Sequence, residues 1–265
     1  MADMHDWNQA VSLMHRLADA AGAATLPSFR NLDEVESKGD GGFDPVTVAD
    51  RGAERVMRSL IEEVFPDDGI IGEEYGMERA EADAVWVLDP IDGTRAFVAG
   101  LPSWGTLIAR MSRGVPRVGM MAQPYIGERF WSDGEASYWS RGETRSRLTT
   151  RECPVLAEAT LFVTDPKMFR GDQRAAFDSL ASRVKTVRYG TDCYGYAMVA
   201  AGHGDIVFEC DIQLYDVAPF VPILATAGGQ LTAWNGGPAA SDHTALAVGD
   251  PALVEEIRSV ILAGS

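Results

Sequence analysis

The chain has 265 residues, a length that fits one large domain or two small ones packed together. Because 46% of its residues are hydrophobic and 23% are charged, the composition excludes long disorder, collagen and a coiled coil. Its 39 acidic and 23 basic side chains give a net charge of −16, which offers no counter-charge to a phosphate backbone, so we expect metal cations rather than nucleic acid as ligands.

The first half of the chain predicts two helices laid on an antiparallel sheet. Apolar residues recur at helical spacing over residues 5–26, and a second amphipathic helix begins near Asp50 and ends before Pro66. A short apolar run at 84–88 then stops at an Asp-Pro pair, as a buried strand does at the rim of a sheet. Three more strands are predicted at 105–111, 115–123 and 127–132.

The second half alternates strands with helices, which indicates an α/β arrangement. The strands are predicted at 160–164, 184–188, 205–209, 229–233 and 244–248, and the helices at 172–183, 193–202, 215–227 and 250–262. We therefore divide the chain into an α+β half, residues 1–147, and an α/β half, residues 148–265. Since no change in composition separates them, we expect the two halves to pack as layers of one body.

The clearest candidates for metal-binding or catalytic residues lie in the stretch Trp86-Val-Leu-Asp89-Pro-Ile-Asp92-Gly-Thr94. Two carboxylates three residues apart lie at a strand end, beside a glycine that leaves backbone N–H groups accessible. Such a corner suits a hard cation and a phosphate together. If a helix begins after Gly93, its first amides would add to the attraction for phosphate.

Further carboxylates lie next to two other apolar runs. Ile70-Ile-Gly-Glu73-Glu74 repeats the pattern of a run that ends in glycine and acids, and Tyr215-Asp216-Val-Ala opens an apolar segment. Oxygen ligands of this kind suit Mg²⁺. Taken singly, each has a simpler interpretation, because an Asp-Pro pair is usually a turn, Asp216 a helix cap and paired glutamates a solvated surface. The combination favours a metal site.

The ordered set Gly72-Glu73-Glu74, Asp89-Pro-Ile-Asp92-Gly-Thr94 and Tyr215-Asp216-Val-Ala closely resembles the two signatures of the inositol-monophosphatase-like phosphatases. The resemblance runs over essentially the whole chain. The segment Asp44-Pro-Val-Thr-Val-Ala-Asp50 also looks like the family's stretch before its second helix, whereas Tyr215 stands where the family usually has tryptophan.

This resemblance implies a layered α-β-α-β-α sandwich, a homodimer, and two or three Mg²⁺ per subunit that act on a small phosphate monoester. It implies that Thr94 and Asp50 form a hydrogen-bonded pair which, with Glu73, orients and deprotonates the attacking water. Gly93 and Thr94 would bind phosphate through their amides. The implied metal ligands are Glu73, Asp89, the carbonyl of Ile91, Asp92 and Asp216, so that the first half carries most of them.

The residues after Gly-Thr bear on the substrate. Arg95-Ala-Phe97 followed by Gly100-Leu-Pro-Ser-Trp104-Gly-Thr resembles the histidinol-phosphate phosphatase branch of the family, which works in histidine biosynthesis. Histidinol phosphate carries an ammonium and an imidazole near its phosphate, and such groups favour carboxylates. We expect the substrate to be bound by residues of both halves, namely Arg95, Asp192, Glu209 and Asp211.

Other interpretations stay open. Inositol 1-phosphate is the second candidate substrate, and a non-catalytic regulatory partner with this fold is a further alternative. Cys153, Cys193 and Cys210 are too scattered for a disulfide framework or a zinc site and are expected to be reduced. The N-terminus has no basic start and no long apolar run, so we expect a cytoplasmic protein without a membrane span.

Overall fold

The computed structural model describes residues 4–31, 35–37 and 45–264. Asp44, which belongs to one of the motifs above, lies outside them. The helices are α1 Met4–Thr25, α2 Val48–Val64, α3 Thr94–Val98, α4 Asp172–Ala181, α5 Asp192–Ala200, α6 Leu214–Val217, α7 Phe220–Ala227 and α8 Val254–Gly264. The strands are β1 Val35–Ser37, β2 Pro45–Thr47, β3 Gly69–Gly72, β4 Gly76–Glu78, β5 Ala84–Asp92, β6 Gly105–Ser112, β7 Val115–Gln123, β8 Glu128–Ser132, β9 Ser137–Arg141, β10 Thr144–Arg147, β11 Thr160–Val163, β12 Thr186–Tyr189, β13 Ile206–Cys210, β14 Gln230–Thr232 and β15 Thr244–Val248.

The larger sheet has the strand order β10-β9-β8-β7-β6-β5-β3-β4. Every neighbouring pair is antiparallel except β3 and β5, which run parallel. Helices α1 and α2 cover one face, where Leu17 and Met57 pack with Trp86 and Ile108 in a fully buried cluster. The prediction of two helices on an antiparallel sheet is therefore confirmed, apart from the parallel pair of β3 and β5.

A second sheet, ordered β12-β11-β13-β15-β14, lies in the second half of the chain. Helices α5 and α7 lie between the sheets, because Phe220 and Ile223 share one buried cluster with Met121 of the larger sheet and Val207 of the smaller one. Helices α4 and α8 cover the outer face of the smaller sheet. The layers are thus α-β-α-β-α, as expected, whereas the division of the chain into halves at residues 1–147 and 148–265 stays a prediction.

Three sequence-based expectations are corrected by the structure. The run at 84–88 does not stop at its Asp-Pro pair, since β5 continues to Asp92 with a break in its pairing. The predicted helix at 215–227 is two helices, because Pro219 has no N–H to donate and α6 ends at Val217. Strands β1 to β4, β9 and β10 were missed, since they are short, and β10 is polar and exposed.

A buried arginine ties the N-terminal helix to the larger sheet. Arg110 of β6 donates from Nε to Asp68 (2.7 Å) and from a terminal nitrogen to Asp6 of α1 (2.6 Å). Its guanidinium also lies 4.5 Å from the centre of the Phe65 ring. A charge that is 3% exposed is tolerated here because both acids and the ring stabilise it.

Two remaining expectations concern the pairing of the cysteines and membrane-spanning helices. All three cysteines are buried and unpaired. Among the residues that the structure describes, no helix combines the length and the apolar character needed to cross a bilayer. The cytoplasmic location stays a prediction.

Candidate active site

Strand β5 delivers two carboxylates to one place through a local irregularity. In a regular strand, residues three apart point to opposite faces. Here the pairing of β5 with β6 shifts between Asp89 and Asp92, and the N–H of Ile91 donates to the Asp89 carboxylate (3.0 Å). The Thr106 hydroxyl donates to the carbonyl of Pro90 (2.8 Å) and secures the kink. Both acids therefore face the same side of the chain.

Asp216 joins them from the second half of the chain. It is the third residue of α6, where its carboxylate accepts from the Gln213 N–H (2.7 Å) in a capping box. Carboxylate oxygens of Asp89, Asp92 and Asp216 lie within 4.8 Å of one another. The cap uses one carboxylate oxygen of Asp216 and leaves the second able to contact a cation.

A second acidic group lies between α2 and the turn after β3. Carboxylate oxygens of Asp50, Glu73 and Glu74 lie within 4.8 Å of one another, and Asp50 is 1% exposed. The N–H of Glu73 donates to the carbonyl of Leu88 (3.2 Å), which ties the turn to β5. The Glu74 side chain is 1% exposed and lies 3.4 Å from Arg51, so the paired glutamates are not a solvated surface.

The electrostatics of these acids point to a cation. Burial and the charge of Glu73 raise the pKa of Asp89 well above its ordinary value, and burial and the charge of Asp216 do the same for Asp92. Burial raises the pKa of Asp216 to about 7. Within the described part of the chain, no lysine or arginine forms an ion pair with any of these three. A donor set made of carboxylates alone fits a hard divalent ion such as Mg²⁺.

A cavity of about 520 Å³ opens beside the first acidic group. Asp92, Gly93 and Thr94 line one side of it. Gly93 has φ +81°, and a Cβ there would lie 3.0 Å from Asp192, so glycine is required on both conformational and steric grounds. Thr94 begins the five-residue helix α3, and its hydroxyl donates to the carbonyl of Ile91 (3.2 Å). The pairing of Thr94 with Asp50 stays a prediction, and it requires that hydroxyl to turn.

All four predicted substrate residues line the same cavity, in different settings. Asp192 accepts from the Ser103 hydroxyl (2.6 Å) and has the left-handed φ of +43°. Glu209 is 3% exposed and accepts from the Tyr196 hydroxyl (2.8 Å) and from Thr164. These bonds use most of the positions at which the Glu209 carboxylate can accept a hydrogen bond. Its remaining effect on a ligand is chiefly electrostatic.

The other two substrate residues lie nearer the solvent. Asp211 is exposed and has φ +58°. The Arg95 side chain is 69% exposed and lies 4.0 Å from Asp165. Direct contact with a ligand is therefore sterically simplest for Asp192, Asp211 and Arg95.

Sequence reasoning missed several lining residues. Ser103, Thr164, Lys167 and Arg170 border the cavity or contact its acids. Ser103 stands at a variable position of the motif Gly100–Thr106, and the other three lie in no recognisable motif. Glu74 belongs to a quoted motif but was not predicted as a site residue. Such residues are recruited by the fold, so composition and spacing gave no signal for them.

The comparison with known proteins agrees with this geometry. A model of the inositol monophosphatase family matches residues 6–262. The chain belongs to the inositol monophosphatase family. The sequence resemblance stated above is thereby confirmed, and the motifs that carried it lie within the matched range.

Relatives of the chain in the inositol monophosphatase family are named for different substrates. Bifunctional phosphatase IMPL2 of Arabidopsis thaliana, a chloroplastic protein, is 40% identical over 222 residues, covering 83% of this chain but 63% of the plant protein. Histidinol-phosphatase of Streptomyces coelicolor is 35% identical, covering 89% and 90% of the two chains. A solved inositol monophosphatase from Zymomonas mobilis is 38% identical, with a TM-score of 0.87 over 97% of this chain and 98% of that one. The chain is therefore a phosphatase of this family.

Proposed function

We propose that the protein hydrolyses L-histidinol phosphate to L-histidinol and phosphate in a Mg²⁺-dependent reaction. The observation that carries the proposal is the presence of two neighbouring acidic groups, one from β5 and α6 and one from α2 and the turn after β3. The charges of Glu73 and Asp50 act on Asp89, and Asp92 and Asp216 line the cavity. The proposed ligands are Glu73, Asp89, the carbonyl of Ile91, Asp92 and Asp216. These groups offer only oxygen donors, and their mutual repulsion is relieved by a cation.

The chain's own groups bind and orient the ester. When bound, Mg²⁺ would neutralise the charge of the phosphate monoester and lower the pKa of a water. Gly93 and Thr94 border the cavity, and their amides would donate to phosphate oxygens. Glu73, with Asp50 beside it, holds a carboxylate able to accept a proton from the attacking water. No nucleophilic side chain is needed for hydrolysis by this route.

Substrate choice rests on further acids that line the cavity. Asp192, Glu209 and Asp211 contribute carboxylates to its lining, and an ammonium and an imidazole close to the phosphate match them. Arg95 at the rim would attract the phosphate of the incoming ester. The similarity to histidinol-phosphatase of Streptomyces coelicolor supports this choice.

Inositol 1-phosphate is the second candidate. It is favoured by the 38% identity to the inositol monophosphatase from Zymomonas mobilis, which exceeds the identity to the Streptomyces histidinol-phosphatase. The two substrates differ in charge beyond the phosphate, because inositol is neutral. An acidic cavity wall therefore favours the amine-bearing ester.

A panel of phosphate-release assays tests the proposal. Histidinol phosphate, inositol 1-phosphate, fructose bisphosphate and nucleotide monophosphates would be compared with and without Mg²⁺. Asp92→Asn is expected to abolish turnover of every ester, because it removes a ligand carboxylate. Asp211→Ala is expected mainly to raise KM for histidinol phosphate, with Asp172→Ala, an exposed acid at the start of α4, as the control. An equal loss on inositol 1-phosphate would contradict the assignment of Asp211.

The quaternary state is a separate proposal. The family resemblance implies a homodimer, and light scattering on the purified protein tests it. A monomer at micromolar concentration would refute it without affecting the proposed reaction.

A further inference from the structure

A buried glutamate that no motif includes lies behind the acidic groups. Glu54 follows Asp50 by one helical turn in α2, so the two side chains share a face. Its side chain is fully buried. Ionised side chains are rarely buried to this extent unless several donors satisfy them. Its partners therefore indicate what it does.

The Glu54 carboxylate is bonded to the turn that carries Glu73. One oxygen accepts from the N–H of Glu74 (2.8 Å), and the other accepts from the N–H of Tyr75 (3.2 Å) and from Nε of Arg58 (2.8 Å). Together with the bond from the Glu73 N–H to the carbonyl of Leu88, all three amides of the turn have fixed partners. The turn is held from α2 on one side and from β5 on the other.

Two further features show that the turn and Glu54 fit each other closely. A Cβ on Gly72 would lie 2.0 Å from a Glu54 carboxylate oxygen, so glycine is required where β3 ends. Arg58 also donates to the carbonyl of Gly76 (2.5 Å), the first residue of β4. Gly72 and Gly76 are paired across the hairpin. Glu54 and Arg58 therefore contact the three-residue turn at both of its ends.

This turn needs such support because it carries like charges. Oxygens of Glu73, Glu74 and Asp50 lie within 4.8 Å of one another, and the charge of Glu73 also acts on Asp89. Without a cation these carboxylates repel one another and push the turn away from β5. A turn restrained at all of its amides keeps Glu73 in place before the ion arrives.

We propose that Glu54 is a positioning residue for the metal site, which holds the turn at Glu73–Tyr75 in the geometry that binds the ion. The proposal rests on the proposed function. Glu54 touches neither substrate nor ion. It acts through the backbone of the turn, so its loss should weaken metal binding and slow the chemical step while leaving the affinity for the ester little changed.

Glu54→Gln tests the proposal in the full-length protein. Whichever way the glutamine amide turns, its NH₂ group faces an N–H donor, so the turn cannot keep all of its bonds. We expect a 10- to 100-fold loss, to order of magnitude, in Mg²⁺ affinity measured by calorimetric titration without substrate, and a comparable fall in kcat with KM nearly unchanged. Arg58→Lys, which cannot bridge Glu54 and Gly76 together, should weaken Mg²⁺ binding by about threefold or more.

The matched control is Asp205→Asn. Asp205 is also a fully buried carboxylate that accepts from a backbone N–H, that of Thr160 (2.6 Å), and from an arginine, Arg151 (2.7 Å), but it lies outside the cavity. It should lower the melting temperature and leave Mg²⁺ affinity and kcat unchanged.

The outcomes separate the two proposals. If the Glu54 and Arg58 variants lose only melting temperature, as the control does, the positioning role is refuted. If Glu54→Gln does not fold, Arg58→Lys decides by the same criterion. If the unaltered protein binds no Mg²⁺ and hydrolyses no ester, the proposed function itself has failed.

Discussion

Asp216→Asn should stabilise the metal-free protein at alkaline pH and abolish its response to Mg²⁺. The pKa of Asp216 is raised from 3.8 to about 7 in the folded chain, chiefly by burial. A carboxyl whose pKa is higher in the folded than in the unfolded state stabilises the fold below its ordinary pKa. That contribution is lost as the pH rises through the folded value. Metal-free protein therefore loses up to about 4 kcal/mol of unfolding free energy between about pH 4 and pH 8, roughly 2 kcal/mol of it above about pH 5.5.

Urea unfolding in EDTA at two pH values, near 5.5 and 8, measures this effect. The difference in unfolding free energy between the variant and the unaltered protein should grow by about 2 kcal/mol over that interval, because asparagine does not titrate. Asp67→Asn, an exposed acid after α2, is the control and should show no such growth. At a hundredfold excess of Mg²⁺ over its dissociation constant, the unaltered protein should gain about 2.7 kcal/mol and the variant should not. A difference between the two proteins that stays constant over this interval in EDTA would refute the inference that burial raises the pKa of Asp216 in the folded chain.

Two further changes test the scaffold. Arg110→Met leaves Asp68 buried without its guanidinium, so the free energy of unfolding should fall by about 3–5 kcal/mol in urea titrations; a loss below about 1 kcal/mol would contradict that account. Gly119→Ala would place a Cβ 2.4 Å from the carbonyl oxygen of Pro219. It should push Pro219, which joins α6 to α7, away from β7 and thereby weaken Mg²⁺ binding in calorimetry, whereas Gly52→Ala, with nothing within 4 Å, should not.

The acidic site was largely accessible from the sequence because its ligands are clustered in short motifs. Asp89 and Asp92 were recognisable from their spacing and from the Pro-Ile between them. The kink that turns both to one side was not, because it depends on the pairing with β6 and on the hydroxyl of Thr106. Glu54 carried no signal at all, since a glutamate in an amphipathic helix is expected on the solvent side.

The fold shows the same contrast between strong and weak local patterns. Helices α1 and α2 and strands β6, β7 and β8 have clear periodicity and were predicted close to their bounds. Strand β3 is only Gly-Ile-Ile-Gly, and β10 is polar, so their conformation is set by partner strands rather than by propensity. Helix α7 begins later than the helix predicted at 215–227, because Pro219 interrupts the helix within this apolar run.

The position of Asp216 on α6 determines when the three-acid group can form during synthesis. Asp89 and Asp92 leave the ribosome well before the segment that supplies Asp216, and α6 lies against β5 through Leu214. A nascent chain that ends before this segment cannot complete the three-acid group. If this group holds Mg²⁺ as proposed, retention of the ion distinguishes molecules in which α6 has docked from those that end before it.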